Sequence, residues 1–515
     1  MQARHTRTVA ALCVIAVILV ASAWLREPGF VQGRFASHDV GGILYNGMVL
    51  RAGGLPYVDT VEFKAPASFY LATVLAGPEA REIAAFQVAA NVTSLASLAL
   101  LTALAWRLWG RAAAVVAAVV FALHDAHLDS MDANYVTWAL LPQIAAMFVA
   151  FVADARRRGQ TARGKVALTW VASGALAAVA TLCKQPSGIV LVAATFHAGF
   201  GGPRRDPRAA LWVIAGFVAG HVPIALHYIA RGHLGDLLGG YVGNPWGLAY
   251  VGHHLQTPLL EAVREGAFAT AHFVVLPLLL AAYAVASQGE GQPEPQRAVV
   301  RTLVVWILVA LAGASVGLRF YKGYFLAALP PLVLLGVAPW GLCGADFWRR
   351  GWSRIVTVPV LVVLVARAAT IMAATREDRA RPHDEGVRRI AAHIAAQTGP
   401  DDRIWVWGWH LWGAFAYTGR LSASPIYKTP GLLTRFEDDS WRRIAGPLVF
   451  EPDSPYVPML LADLASARPA FIVLGGSVPR DDFTELRRFV AEHYRRDRRI
   501  NVGRAEVWRR RDHGM

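Results

Sequence analysis

The chain has 515 residues, of which 55% are hydrophobic and only 17% charged, and it carries a net charge of +15. An ordinary soluble domain has about a quarter of its residues charged, so this composition excludes that class and points to a polytopic membrane protein. The positive balance does not require a nucleic-acid partner, because through the first three quarters of the chain most basic residues fill short breaks between apolar runs, the pattern that orients membrane helices.

Cys13, Cys183 and Cys343 lie in or at the ends of apolar runs and form neither a disulfide framework nor a metal knuckle. Residues 8–25 follow Arg4 and Arg7 and are long enough for a tilted spanning helix; Ala21-Ser22-Ala23 leaves a cleaved signal peptide as the alternative. The passage 33–70 is the first polar one. It sets His38, Asp39, Asp59, Glu62 and Lys64 among Tyr45, Tyr57, Phe63 and Tyr70, and ionisable groups at a bilayer face are costly enough to mark a site. Apolar residues Val40, Ile43, Leu44, Met48 and Leu50 have the spacing of a helix lying in the interface, with Asp39 expected at its N-cap. Residues 68–76 are apolar but too short to span, so they read as a juxtamembrane or re-entrant helix.

Further spans are expected at 82–106, 112–123, 133–152, 166–183, 188–200, 209–230, 268–286, 302–318, 325–342 and 355–374, about eleven with the first. Counted along the chain, the Arg-rich breaks fall on one side. The other side receives residues 124–132, 184–186, the region of Tyr241 and residues 319–324, which places the N-terminus inside and the C-terminus outside. From residue 376 the composition becomes that of a soluble domain. Helical periods at 384–397, 459–466 and 482–494 alternate with strands at 403–407 and 470–474, and 501–508 has the pattern to close the sheet. The expected organisation is a helical membrane domain over 1–375, with an outer loop at 26–81, followed by a small extracytoplasmic α/β domain over 376–515.

Each candidate site residue has a plain reading beside its chemical one. Asp39 either caps a helix or acts as a general base on an acceptor hydroxyl. Lys64 either snorkels at the interface or supplies charge to a phosphate leaving group. His124, Asp125 and His127 have the residue types of a divalent site for Mn, Mg or Zn but no fixed ligand spacing, and the same loop offers Asp129 or Asp132 as a second acid. Arg319, Tyr321, Lys322 and Lys184 suit a lipid-linked phosphate, or equally an interfacial belt. Trp246, beside Tyr241, either stacks on a sugar or anchors the chain. Tyr45, Tyr57 and Tyr321 are candidate sugar or acceptor contacts as well. In the C-terminal part, His410 or Trp412 is a candidate glycan contact, and Trp405 and Trp407 alternate in a strand with one face in a core.

The order Asp39, Tyr45, Gly53-Gly54-Leu55-Pro56-Tyr57, Asp59 and Phe63-Lys64-Ala65-Pro66 resembles the first outer loop of bacterial GT-C glycosyltransferases, in the superfamily of dolichyl-phosphate-mannose-protein mannosyltransferases and aminoarabinose transferases. Lys184-Gln185-Pro186, the run from Arg319 to Tyr324 before Pro330-Pro331, and the C-terminal outer domain are similar to it as well. The resemblance implies inverting transfer of one sugar from a polyprenyl-phosphate donor to a glycan, lipid or protein acceptor at the outer face of a bacterial cytoplasmic membrane, with Asp39 catalytic and no certain cofactor. Val40 stands where many members have a second acid, and Ala65 replaces a proline. A transporter or flippase of a lipid-linked sugar, or a non-catalytic scaffold, is the alternative; ionisable groups gathered on one face and unmatched halves favour an enzyme.

Overall fold

The computed structural model describes residues 2–26, 38–75, 80–128, 130–159, 162–201, 205–244, 248, 257–286, 293–342, 351–380, 384–436, 448–476 and 478–512. The chain folds as two compact units. The first comprises Met1–Phe30, Ala90–Leu226 and Thr257–Glu377; the second comprises Val31–Ala89, His227–Gln256 and Asp378–Met515.

Ten helices among the described residues are long and apolar enough to cross a membrane: His5–Leu25, Ile83–Trp109, Arg111–Leu128, Tyr135–Arg158, Arg163–Cys183, Pro207–Ala230, Leu259–Ala286, Glu294–Ser315, Lys322–Leu342 and Arg354–Ala374. The expected span at 188–200 differs from these. It is assembled from a 3-10 turn Gln185–Ile189, a short α-helix Val190–Phe196 and a π-turn His197–Gly201, because Pro186 and three glycines leave no long α-helical run.

In the first unit, helix–helix contact relies on small residues, as it must where lipid removes most of the hydrophobic drive. A Cβ at Gly174 would overlap the Val213 carbonyl, one at Gly216 the Val171 carbonyl, and one at Gly220 would fall 2.5 Å from the Ala178 Cβ. Gly216 and Gly220, four apart, therefore bring Pro207–Ala230 against Arg163–Cys183. The reverse faces of the spans are apolar and outward: Val17, Val20, Leu211, Val218, Leu308 and Val362 are each more than 60% exposed, a surface suited to acyl chains.

The second unit is built on a four-stranded sheet with strands β1 (Ile404–Trp407), β4 (Phe471–Leu474), β5 (Tyr494–Arg496) and β6 (Glu506–Arg510), in the order β1-β4-β6-β5. β1 and β4 run parallel with Ile404 opposite Phe471, while β6 is antiparallel to both of its neighbours. A separate hairpin pairs β2 (Thr434–Phe436) with β3 (Leu448–Phe450). Both faces of β1 and β4 are covered. Trp405, Trp407, Ile472 and Leu474 pack with Leu460, Leu464, Leu486 and Val490, and Ile404, Val406, Phe471 and Val473 pack with Ile390, Ile394 and Phe415. The expected core face of β1 is present, with Trp405 and Trp407 fully buried, and the opposite face is covered as well.

Tyr45 and Val49 of helix His38–Arg51 belong to the second of these clusters. That helix is held on two sides because glycines let backbones approach. A Cβ at Gly41 would lie 2.8 Å from Gly413 N, and one at Gly47 would lie 2.7 Å from the Ala72 Cβ on helix Ala67–Leu75.

Candidate active site

Helix His38–Arg51 ends in a turn where Gly53 takes φ +86° and Gly54 N donates to Val49 O at 2.9 Å. A tight loop follows. The Asp59 carboxylate accepts from Leu55 N at 2.7 Å, Asp59 N donates to Leu55 O at 2.8 Å, and Tyr57 is forced to φ +68°, a conformation uncommon for a non-glycine residue. Val61 N then donates to Pro425 O at 2.9 Å and delivers the chain to Glu62.

Glu62 is 2% exposed and its carboxylate collects five donors. Oε2 accepts from Lys428 Nζ at 2.5 Å, from Tyr427 OH at 2.6 Å and from Asn46 Nδ2 at 3.1 Å. Oε1 accepts from the backbone N–H of Phe63 at 2.9 Å and of Lys64 at 3.1 Å. Thr60 completes the network by donating to Asn46 Oδ1 at 2.8 Å. Burial alone raises a carboxyl pKa, but the Lys428 charge and these hydrogen bonds outweigh it and hold Glu62 below the usual carboxylate value. Burial pushes the Lys428 ammonium down against the pull of this one carboxylate. The carboxylate has five donors, whereas the ammonium is hydrogen-bonded to one carboxylate and drawn more weakly by Asp39, so each group's direction follows from its own surroundings.

Asp39 lies in the first turn of its helix, inside the N-cap position expected for it, half-buried, and close enough to Lys428 to favour that residue's charge. Beside it His38 meets Trp409 edge to face, with ring centroids 4.1 Å apart. Lys64 is half-buried, its Nζ 5.1 Å from the Phe63 ring centroid, and its carbonyl accepts from Tyr57 OH at 2.5 Å. Tyr57 is therefore a support for the Lys64 backbone. Tyr45, expected as a sugar or acceptor contact, sits in the core: it is 2% exposed, wedged against Phe415 and Tyr427, and its hydroxyl, pushed up to about 12 by burial, accepts from Ser422 N. Trp412 is buried as well, and Lys428 lies 5.3 Å from its ring centroid.

In the first unit the expected basic and aromatic group does come together. Lys184, which ends helix Arg163–Cys183, places Nζ 4.3 Å from the Tyr324 ring centroid; Tyr324 meets Tyr321 at 5.7 Å, and Arg319 donates to Tyr321 OH at 2.7 Å. Arg319 stands between Leu318 at φ +54° and Phe320 at φ +53°, two strained positions that fix where its buried guanidinium points. Lys322 is exposed at the start of the turn Lys322–Ala328.

The loop after Arg111–His124 is held by its own polar contacts. Asp125 is paired with Arg26, which also donates to Ser130 Oγ at 2.7 Å and Ser130 O at 3.0 Å. His124 Nε2 lies 2.8 Å from Phe273 O. His127 stacks edgewise on His124 at 5.6 Å. Among the described residues no three His, Cys, Asp or Glu side chains converge as metal ligands. Asp132 is buried in this loop; Asp129 and Trp246 lie outside the described residues.

The Glu62–Lys428–Tyr427 network was not expected. A signal for it exists in the sequence: the chain has five lysines against 46 arginines, and Lys428 is the only one beyond residue 322. Where one cation type is used so rarely, its positions are informative, since an ammonium and a guanidinium are not interchangeable.

The architecture is that of a multi-pass membrane protein of the GT-C fold. Solved structures of two proteins carry this assignment. ArnT from Cupriavidus metallidurans bound to undecaprenyl phosphate is matched over 98% of each chain at 15% identity with a TM-score of 0.56, and its apo state gives 0.57 at the same identity and coverage. The archaeal oligosaccharyltransferase AglB from Archaeoglobus fulgidus, in complex with an inhibitory peptide and a dolichol-phosphate, is matched over 91% of this chain and 69% of its own, at 12% identity and a TM-score of 0.53. No protein-family model and no curated protein sequence matches the chain.

Proposed function

We propose that the protein is an inverting membrane glycosyltransferase that moves a single sugar from a polyprenyl-phosphate carrier to an acceptor hydroxyl. The observation that carries this reading is the match, over 98% of both chains, to a transferase structure holding undecaprenyl phosphate. The acceptor oxygen attacks the anomeric carbon, the bond from that carbon to the phosphate oxygen breaks, and polyprenyl phosphate leaves. The acceptor proton passes to the Asp39 carboxylate as general base. Lys64 stabilises the charge that develops on the departing phosphate, where preorganised electrostatics contribute most. In the first unit, Arg319, Tyr321, Lys322 and Lys184 supply a basic and aromatic surface for a phosphate-bearing lipid, Arg319 through its fork of donors. Asp132 and Asp129 are second-acid candidates in the stretch 124–132. We place the loop 26–81 and residues 376–515 on the extracytoplasmic side of a bacterial cytoplasmic membrane.

The test is transfer of radiolabel from a panel of polyprenyl-phosphate sugars in membranes containing the protein. Label appearing in a glycan, lipid or protein acceptor supports the reading. Label that crosses sealed vesicles still attached to the carrier, without transfer, refutes it in favour of a flippase.

A further inference from the structure

We propose that Lys428 is a positioning residue for Lys64 that acts through Glu62: its ammonium fixes the Glu62 carboxylate, which holds the Phe63 and Lys64 backbone and so sets where the Lys64 ammonium stands. The proposal rests on the reading of Lys64 as a phosphate-binding residue.

The chain of contacts is continuous. Lys428 and Tyr427 grip Glu62 Oε2 at 2.5 and 2.6 Å, and Oε1 of the same carboxylate receives the N–H groups of Phe63 and Lys64. The Lys64 carbonyl is tied from its other side by Tyr57 OH at 2.5 Å, so both backbone polar groups of Lys64 are fixed. Lys428 is itself confined. Its Nζ stands 5.3 Å from the ring centroids of Trp412 and Tyr427 and 5.5 Å from that of Phe63, and Phe63 is also the ring under Lys64. Gly42, one helical turn beyond Asp39, gives the lysine room: a Cβ there would lie 3.2 Å from Lys428 Cε.

The second effect is electrostatic. A buried carboxylate two residues from Lys64 would draw that ammonium to itself if nothing else neutralised it. Lys428 neutralises Glu62 from within the core. Removing Lys428 therefore loosens the Lys64 backbone and leaves the Glu62 carboxylate to compete for the Lys64 ammonium.

The experiment uses the full chain in detergent and measures binding of undecaprenyl phosphate and of undecaprenol, which lacks the phosphate. Lys428→Met is expected to weaken undecaprenyl phosphate binding roughly tenfold, the scale of a lost charge-assisted contact, and to leave undecaprenol binding unchanged. In a Lys64→Ala background the same substitution is expected to add less than about twofold, because the two residues act as one unit. Equal losses for both ligands, no loss in Lys428→Met, or a full additional loss in the Lys64→Ala background overturns the proposal. If Lys64→Ala weakens binding and Lys428→Met does not, the proposal fails and the phosphate reading of Lys64 stands; if Lys64→Ala binds as the parent does, both fail. Glu62→Leu/Lys428→Met buries no charge, removes the acceptor that holds the Phe63 and Lys64 N–H groups, and guards against misfolding. It is expected to regain thermal stability without regaining phosphate binding, and recovery of both shows a merely structural pair and overturns the proposal.

Discussion

Replacing Glu62 by alanine tests the energetic weight of the buried network. The substitution strands Lys428, a lysine 3% exposed, without its carboxylate, and removes the acceptor used by Tyr427, Asn46 and two backbone N–H groups. Each orphaned donor costs about 1–3 kcal/mol, but the four share one cavity and their costs do not add. Breaking a buried ion pair from one side costs about 3–5 kcal/mol, and that figure is the working magnitude. At about 2–4 °C per kcal/mol for a body of about 150–250 residues, the unfolding midpoint of the second unit should fall by roughly 6–20 °C. Intrinsic tryptophan fluorescence reads it directly, since Trp405 and Trp407 are buried in that unit. Glu62→Leu/Lys428→Met should recover at least about half of the loss, because no charge is then buried alone. A drop of less than about 2 °C, or a double variant no better than the single, refutes the assigned magnitude. The acid response has a definite sign: Glu62 is held below the ordinary carboxylate value, so its stabilisation is complete above that value and is lost as the pH falls through the lower folded one.

Three further outcomes follow from the geometry. Gly47→Ala sets a methyl 2.7 Å from the Ala72 Cβ and should destabilise by about 1–3 kcal/mol despite alanine's better helix propensity, read as a lowered unfolding midpoint. Arg26→Met strands buried Asp125 and frees the Ser130 segment; the expected loss is about 3–5 kcal/mol in the first unit, and Arg26→Met/Asp125→Asn should be milder than the single change. The carboxyl of Asp497 is pulled down chiefly by Arg499 and also by His393, so its stabilisation is present above the ordinary carboxylate value and disappears as the pH drops through the folded one. Asp497→Asn should therefore weaken the protein at neutral pH and flatten the acid limb of its stability curve.

The membrane architecture and the sheet were legible in the sequence because they rest on local periodicity: β1, β4 and the helices Glu385–Ala395, Tyr456–Ala467 and Thr484–His493 fall where apolar spacing puts them. The exceptions have local causes. Residues 188–200 are apolar enough to span, yet Pro186 and glycines break the helix into pieces, and β2, β3 and β5 are three residues each, too short to carry a period. The site was only half legible. Asp39, Lys64, Lys184, Arg319 and Tyr321 announce themselves by residue type near membrane exits. Tyr45 shows no such signal: its hydroxyl accepts from Ser422 N inside the core, a contact 377 residues away in sequence. Glu62 and Lys428 are 366 residues apart, and no local pattern links them; only the packing of helix His38–Arg51 against the sheet does.

The central claim is that Asp39 takes the acceptor proton, and Asp39→Asn tests it with almost no change in shape. In membranes given a radiolabelled polyprenyl-phosphate sugar that the parent protein uses, the account predicts transfer reduced by at least about 10²-fold, the scale of a lost general base, with undecaprenyl phosphate still bound. Transfer at the parent rate in Asp39→Asn would contradict it.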